Sequence, residues 1–234
     1  MTLNIAIHKN IMVKILKDIY SDATIGPILG FKGGTAAYLL YQLERFSVDL
    51  DFDLLDAEKE DYVFERVKSI LMKYGTFKDI AKKRFNLFYL LSYEGKIEGA
   101  TNVKVEINRR DSSSKYNVKY YLGIPMKVMN QEDMAAHKIV AMFERLGTTN
   151  RDIFDVWFFL KNDWPIHKEI IERRNAMSFK EFLQKCIDAL EKLDNSNILS
   201  GLGELLTDSQ KDWVRAKLRT ETIFLLKLKL ENEI

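Results

Sequence analysis

Phe31-Lys-Gly-Gly-Thr-Ala-Ala-Tyr-Leu-Leu-Tyr-Gln-Leu-Glu-Arg45-Phe-Ser-Val-Asp49-Leu-Asp51-Phe-Asp53 places a glycine turn, a helical segment and a row of three carboxylates on one continuous stretch. Asp49, Asp51 and Asp53 alternate with Leu50, Phe52 and Leu54, which is the period of a strand and puts the three carboxylates on one face. Strand stability does not favour that arrangement, because Asp is a poor strand former and like charges on one face repel. A cation is therefore expected there. Two Mg²⁺ ions, or Mn²⁺ in their place, suit the position because such ions take carboxylate oxygens together with substrate phosphates and keep some of their waters.

Upstream, the short apolar run Ile28 to Phe31 leads into Gly33-Gly34-Thr35, at the start of a helical segment from Ala36 to about Glu44. Glycines let backbone N–H groups approach a phosphate closely, and the start of a helix adds its positive end. Phosphate cradle and metal carboxylates thus arrive on consecutive elements. Two other readings compete. Asp49, Asp51, Asp53 and Glu60 also stand at the first, third, fifth and twelfth positions of an EF-hand loop, but Leu54 occupies the position that needs glycine for its sharp turn. The other is an acidic, solvated edge strand with no ligand.

The 234 residues, 47% hydrophobic and 30% charged, describe a globular chain able to bury a core. A formal charge of +2 gives no bulk electrostatic footprint for nucleic acid, so any RNA contact must be a local patch. The single Cys186 excludes an intramolecular disulfide and fits a reducing compartment; it reads as a small buried hydrophobe. No apolar run approaches the roughly 18 residues of a membrane span, and the charged N-terminus does not resemble a signal peptide. The expected location is the cytoplasm, with no membrane partner.

Along the chain, residues 5 to 20 carry apolar side chains at helical spacing, as do Glu60 to Tyr74, where Gly75 closes the segment. Phe85 to Tyr93 and Thr101 to Asn108 read as two strands of a hairpin joined through Glu94-Gly95-Lys96. In the second, Glu106 alternates with Val105 and Ile107, so it is either a general base or metal ligand, or a surface Glu paired with Lys104 or Arg109. Arg109-Arg110-Asp111-Ser-Ser-Ser114-Lys115 reads as a mobile basic loop, and Lys82-Lys83-Arg84 as a second basic cluster; each either contacts an acceptor or is solvated surface. From Gln131 the pattern is helical to Leu146, with Lys138 inside it and His137 taken as structural. A further helix opens at Asn150 as a cap, with Arg151, Asp152 and Asp155 in its first turns; the acidic pair also suits the helix dipole alone. Beyond Pro165 the chain is charged and helical, with capping boxes at Ser178/Glu181 and Thr207/Gln210 and a break at Gly201-Leu202-Gly203.

Lys32-Gly-Gly-Thr, Arg45-x-Ser47-x-Asp49-Leu-Asp51-Phe52, Lys104-Val-Glu106-Ile-Asn108, Glu132-Asp133 with Ala136-His137-Lys138, and Arg151-Asp152-x-x-Asp155 occur in that order. This set resembles the AbiEii/AbiGii nucleotidyltransferase toxins of the DNA polymerase β-like superfamily, over roughly residues 25 to 165. The resemblance implies an α+β fold: a palm-like mixed sheet flanked by helices over residues 1–128, then a helical domain over residues 129–234 that completes the nucleotide cleft. It implies a metal-dependent nucleotidyltransferase of abortive infection, or of a type IV-style toxin–antitoxin pair, that moves a nucleotide from an NTP to a cellular acceptor such as the tRNA 3′ end and releases pyrophosphate. Asp49, Asp51 and Glu106 are the implied metal ligands. Gly33, Gly34, Thr35, Arg45, Ser47, Lys138 and Asp155 are the implied nucleotide contacts, with Asp49, Asp51, Glu106, Lys138 and Asp152 catalytic. The implied partner is an antitoxin, expected to be a winged-helix regulator. Alternatives are a small-molecule, antibiotic-type nucleotidyltransferase and a nucleotide-binding module that acts through a partner without turnover.

Overall fold

The computed structural model describes residues 4–93, 102–110 and 113–232. These divide into two compact units, Met1–Met129 and Asn130–Ile234.

The first unit opens with α1 (Ile5–Ser21), capped where the Asn4 side chain accepts the Ile7 N–H at 3.1 Å. Its buried residues Met12, Ile15, Leu16 and Ile19 recur at three- and four-residue steps, so one stripe faces the core. There follow β1 (Leu29–Lys32), α2 (Gly33–Tyr41), β2 (Asp49–Leu54), α3 (Glu60–Leu71), β3 (Thr76–Lys82), β4 (Asn86–Ser92), β5 (Asn102–Asn108), β6 (Tyr116–Tyr121) and β7 (Ile124–Met129). The strands form one mixed sheet in the order β3-β4-β5-β2-β1-β7-β6. β2 runs parallel to β5, and β1 parallel to β7; the other neighbours are antiparallel. This is the expected α+β architecture.

The register fixes which side chains share a face. Asp49, Asp51 and Asp53 pair with Lys104, Glu106 and Asn108, so the polar positions of β2 and β5 lie side by side. The alternate positions, Leu50, Phe52, Val105 and Ile107, are fully buried on the opposite face. There Phe52 meets Phe31 at 5.4 Å and Tyr20 of α1 at 6.4 Å between ring centroids, and Tyr89 of β4 stacks on Phe64 of α3 at 5.4 Å. Each such side chain contributes about 1.5–3 kcal/mol by leaving water. One face of the sheet is therefore committed to the core, and the other is left to polar chemistry.

The second unit is helical: α4 (Gln131–Arg145), α5 (Arg151–Lys161), α6 (Lys168–Asn175), α7 (Phe179–Lys192), α8 (Asp208–Trp213) and α9 (Arg219–Glu231), the last two joined through a π-helical turn at Val214–Leu218. Both expected capping boxes form, at Ser178/Glu181 and Thr207/Gln210. α5 is buried at every position from Asp152 to Phe159 and packs against α4 and α9. Phe143 meets Phe182 and Trp157 meets Trp213 at 5.2 and 4.4 Å between ring centroids. Cys186 sits in the core of α7, where burial pushes its thiol up to about 12 and makes it inert.

Three features depart from the sequence expectations. β3, β6 and β7 have no counterpart there; β3 and β6 are the sheet's edges and are mostly exposed, so they lack the apolar alternation that marks a half-buried strand. α2 starts at Gly33 itself rather than at Ala36. Asn150 does occupy the cap position of α5, but its side chain donates to the Asn197 carbonyl at 2.9 Å and does not cap the helix. The expected hairpin joint at Glu94-Gly95-Lys96, and Asp111 of the basic loop, lie outside the described residues.

Candidate active site

The polar face of the sheet is built around Asp49 and Asp51. Both are half-buried, on the strand between β1 and β5. Asp51 faces Glu106 across the parallel pair and Lys32 across the antiparallel one. Burial pushes the Asp51 carboxyl above the usual carboxylate range; Asp49 and Glu106 push the same way, against the pull of Lys104 and Lys32. The ammonium of Lys104 lies 3.3 Å from Asp49 Oδ2 and 2.6 Å from Glu106 Oε2. Burial alone would lower the Lys104 pKa, but Asp49, Asp51 and Glu106 outweigh it and hold the ammonium above its ordinary value. The other Glu106 oxygen, Oε1, accepts from Asn86 Nδ2.

Asp53 has a different environment. It is 2% exposed, its Oδ1 accepts from Lys32 Nζ and Asn108 Nδ2, each at 2.6 Å, and its Oδ2 accepts from the Tyr116 hydroxyl. These partners absorb its charge, which sets it apart from Asp49 and Asp51. Tyr116 reaches it over Gly30, where a Cβ would stand 2.3 Å from the tyrosine ring.

The glycine turn is shaped by the same carboxylates. Gly33 has φ +79°, and a Cβ on it would meet Asp51 Oδ2 at 2.7 Å, so both its backbone conformation and the approach of Asp51 require glycine. A Cβ on Gly34 would meet Arg45 Nη2 at 2.8 Å and Ser47 Oγ at 3.0 Å. Thr35, Arg45 and Ser47 are buried beneath the turn. The Thr35 hydroxyl donates to the Asp49 carbonyl and lies 2.9 Å from Ser47 Oγ, while Arg45 Nη1 donates to the Phe46 carbonyl at 2.9 Å. From the other side, His8 of α1 is fully buried, and that burial lowers its pKa against the opposing pull of the Val48 carbonyl and Asp49; its Nε2 bonds the Val48 carbonyl at 2.9 Å, at the entry to β2. The start of the carboxylate strand is thus pinned by α1 and by the start of α2.

The donor set suits a hard divalent cation: the carboxylates of Asp49, Asp51 and Glu106 lie on one face of adjacent strands. Among the described residues no three His, Cys, Asp or Glu side chains form a group that could hold a metal by themselves. Mg²⁺ takes one or two carboxylates and completes its octahedron with phosphates and water.

The helical unit carries a second charged cluster. Lys138 of α4 lies 2.7 Å from Asp152 Oδ1 and 2.8 Å from Asp155 Oδ2 of α5, and Arg145 Nη2 lies 2.7 Å from Asp152 Oδ2. Both carboxylates are fully buried and Lys138 nearly so. The sequence-derived candidates thus fall into two groups, Gly33 to Asp51 with Glu106 in the sheet unit, and Lys138 with Asp152 and Asp155 in the helical one. The pairing of Glu106 with Lys104, one of the two sequence readings of that glutamate, is present; Lys32 entered only as part of the resembling motif, and Asn86, Tyr116 and Arg145 were not singled out from sequence, because their partners lie on other elements.

No curated protein matches the chain in sequence. Among solved structures, a nucleotidyltransferase from Helicobacter pylori, assigned as such provisionally, is 25% identical over 100% of this chain and 99% of its own, with a TM-score of 0.63. JHP933, also from H. pylori, is 24% identical over 100% and 96%, with a TM-score of 0.60. MenT4, a nucleotidyltransferase toxin of Mycobacterium tuberculosis, shares the fold at 18% identity over 94% and 83%, with a TM-score of 0.64. The family model for the AbiEii nucleotidyl transferase toxin of type IV toxin–antitoxin systems matches residues 14–222, a span that takes in both charged clusters, and the chain belongs to that family.

Proposed function

We propose that this nucleotidyltransferase toxin moves a nucleotidyl group from an NTP to the 3′ end of an RNA such as tRNA, in a Mg²⁺-dependent reaction that releases pyrophosphate. The observation that carries the proposal is the β2–β5 register, which sets Asp49, Asp51 and Glu106 on one face of adjacent strands. In the step, the acceptor hydroxyl oxygen forms a bond to the α-phosphorus as the bond from that phosphorus to the α–β bridging oxygen breaks, and the hydroxyl proton passes to a base. Asp49 and Asp51, with Glu106, would hold the divalent cation, which when bound binds triphosphate oxygens and neutralises their charge. Glu106, on the same face, would take the hydroxyl proton. The backbone N–H groups at Gly33 and Gly34 offer donors to the phosphates at the start of α2. Thr35, Arg45 and Ser47 fix the path of that turn from below. The family resemblance, and not the placement of the two units, assigns to Lys138, ion-paired with Asp152 and Asp155, the neutralisation of charge on the leaving pyrophosphate.

The family supplies the rest of the proposal: a cognate antitoxin, expected to be a winged-helix regulator, and action in the cytoplasm. No helix among the described residues is long and apolar enough to cross a membrane.

The test incubates the protein and its Asp49→Ala/Asp51→Ala variant with Mg²⁺, each labelled NTP in turn and total cellular RNA, followed by a denaturing gel. Label entering RNA with the wild type alone supports the proposal, and the band size identifies the acceptor. Label entering a small molecule or protein instead overturns the RNA assignment and leaves the transfer chemistry standing. No label anywhere, in any NTP, favours a nucleotide-binding module.

A further inference from the structure

Lys104 pairs in register with Asp49, and Glu106, two residues on, pairs with Asp51. The strand period therefore puts the lysine and the glutamate on the carboxylate face together. Its ammonium is 2.6 Å from Glu106 and 3.3 Å from Asp49, with side-chain exposures of 26%, 27% and 17% for Lys104, Glu106 and Asp49. Asp51 adds its attraction. Two of the three carboxylates assigned above to a divalent cation thus contact one ammonium, and the third lies within its field. The strand needs no lysine for its packing, since Val103 and Val105 on either side supply the buried contacts.

We propose that Lys104 is a resident counter-ion: it holds Asp49, Asp51 and Glu106 together in the metal-free protein and withdraws when the site loads. The inference rests on the proposed function. Two consequences follow from the charge balance. A free divalent cation must displace a bound ammonium, so it loads weakly, whereas a cation arriving with a nucleotide brings phosphate oxygens to which the displaced ammonium can turn. Glu106 also has both oxygens engaged, one by Asn86 and one by Lys104. Departure of Lys104 frees acceptor capacity on Glu106 for the cation or for the acceptor proton. Lys104 is accordingly a positioning residue that ties exposure of the base to arrival of the substrate.

The test is Mn²⁺ binding to the whole chain without nucleotide, followed by electron paramagnetic resonance. Lys104→Gln is expected to bind Mn²⁺ about tenfold tighter or more, and to melt lower than wild type in EDTA with recovery on adding Mn²⁺; Lys104→Arg keeps wild-type affinity. Equal or weaker binding by folded Lys104→Gln overturns the proposal. Where that variant fails to fold, wild-type protein decides: reductive methylation of Lys104, read by mass spectrometry, is expected to be faster with Mn²⁺ than with EDTA, and an unchanged rate overturns the proposal. Adding Asp49→Asn/Asp51→Asn separates the two assignments. If those changes abolish Mn²⁺ binding while Lys104→Gln does not tighten it, only the counter-ion fails. If binding survives them, the ion lies elsewhere, and the metal assignment fails together with the counter-ion.

Discussion

Gly33 shows how a single residue serves two demands. Sequence marks it as part of a phosphate cradle, and its φ of +79° with the nearby Asp51 carboxylate adds a second reason for the missing side chain. Gly33→Ala is expected to lose about 1–3 kcal/mol of stability from the left-handed conformation. It is also expected to lower kcat by more than that loss explains, because the new Cβ displaces Asp51. Melting temperature and NTP turnover, measured on the same preparation, check this; a stable variant with wild-type kcat would show that Asp51 needs no such proximity. The Asp49/Asp51 pair itself is legible in the sequence, since its period of two is local. The role of Lys104 is not: the motif Lys104-Val-Glu106 is visible, but the register that sets it against Asp49 joins residues 55 positions apart.

Helix pairing explains the second cluster. α4 and α5 each read as helices from their apolar spacing, yet α5 is buried on all sides and its two aspartates share the Lys138 ammonium. Sequence sees an acidic first turn favoured by the helix dipole; the structure shows buried carboxylates balanced by Lys138 and Arg145. Removing one partner leaves uncompensated buried charge, so Lys138→Met is expected to destabilise the protein by about 3–5 kcal/mol, which denaturant unfolding will measure. Activity lost in Lys138→Met therefore bears on chemistry only at a temperature where the variant remains folded. The edge strands β3 and β6 escape the same kind of reading because their exposed residues carry no apolar period, and Asn150 fails as a cap because a distant carbonyl, that of Asn197, takes its side chain.

At the scale of the whole molecule, the acid limb of stability has a local source. Asp22, after α1, would have its pKa raised by burial, but the Thr24 hydroxyl and backbone N–H and the Arg66 guanidinium of α3 outweigh that and hold its carboxyl down at about 2. Because the folded pKa is depressed, this contribution is fully present above the ordinary carboxylate range and is lost as pH falls toward 2. Arg66 is half exposed, so solvent screening reduces the gain to about 1–2 kcal/mol. Asp22→Asn is expected to be less stable by that amount in urea at pH 7 and to approach wild type near pH 2; a constant difference across that range would place the effect elsewhere.

The parallel pairing of β2 with β5 also has a meaning in time. Asp49 and Asp51 are made early, but Glu106 and Lys104 join them only after β3, β4 and the chain to Asn108 exist. At synthesis rates of about 5–20 residues per second, the aspartates wait roughly 3–11 seconds for their neighbours. A protein that belongs to a toxin family thus spends that part of its synthesis with its chemistry unassembled, and the interval is built into the order of its strands.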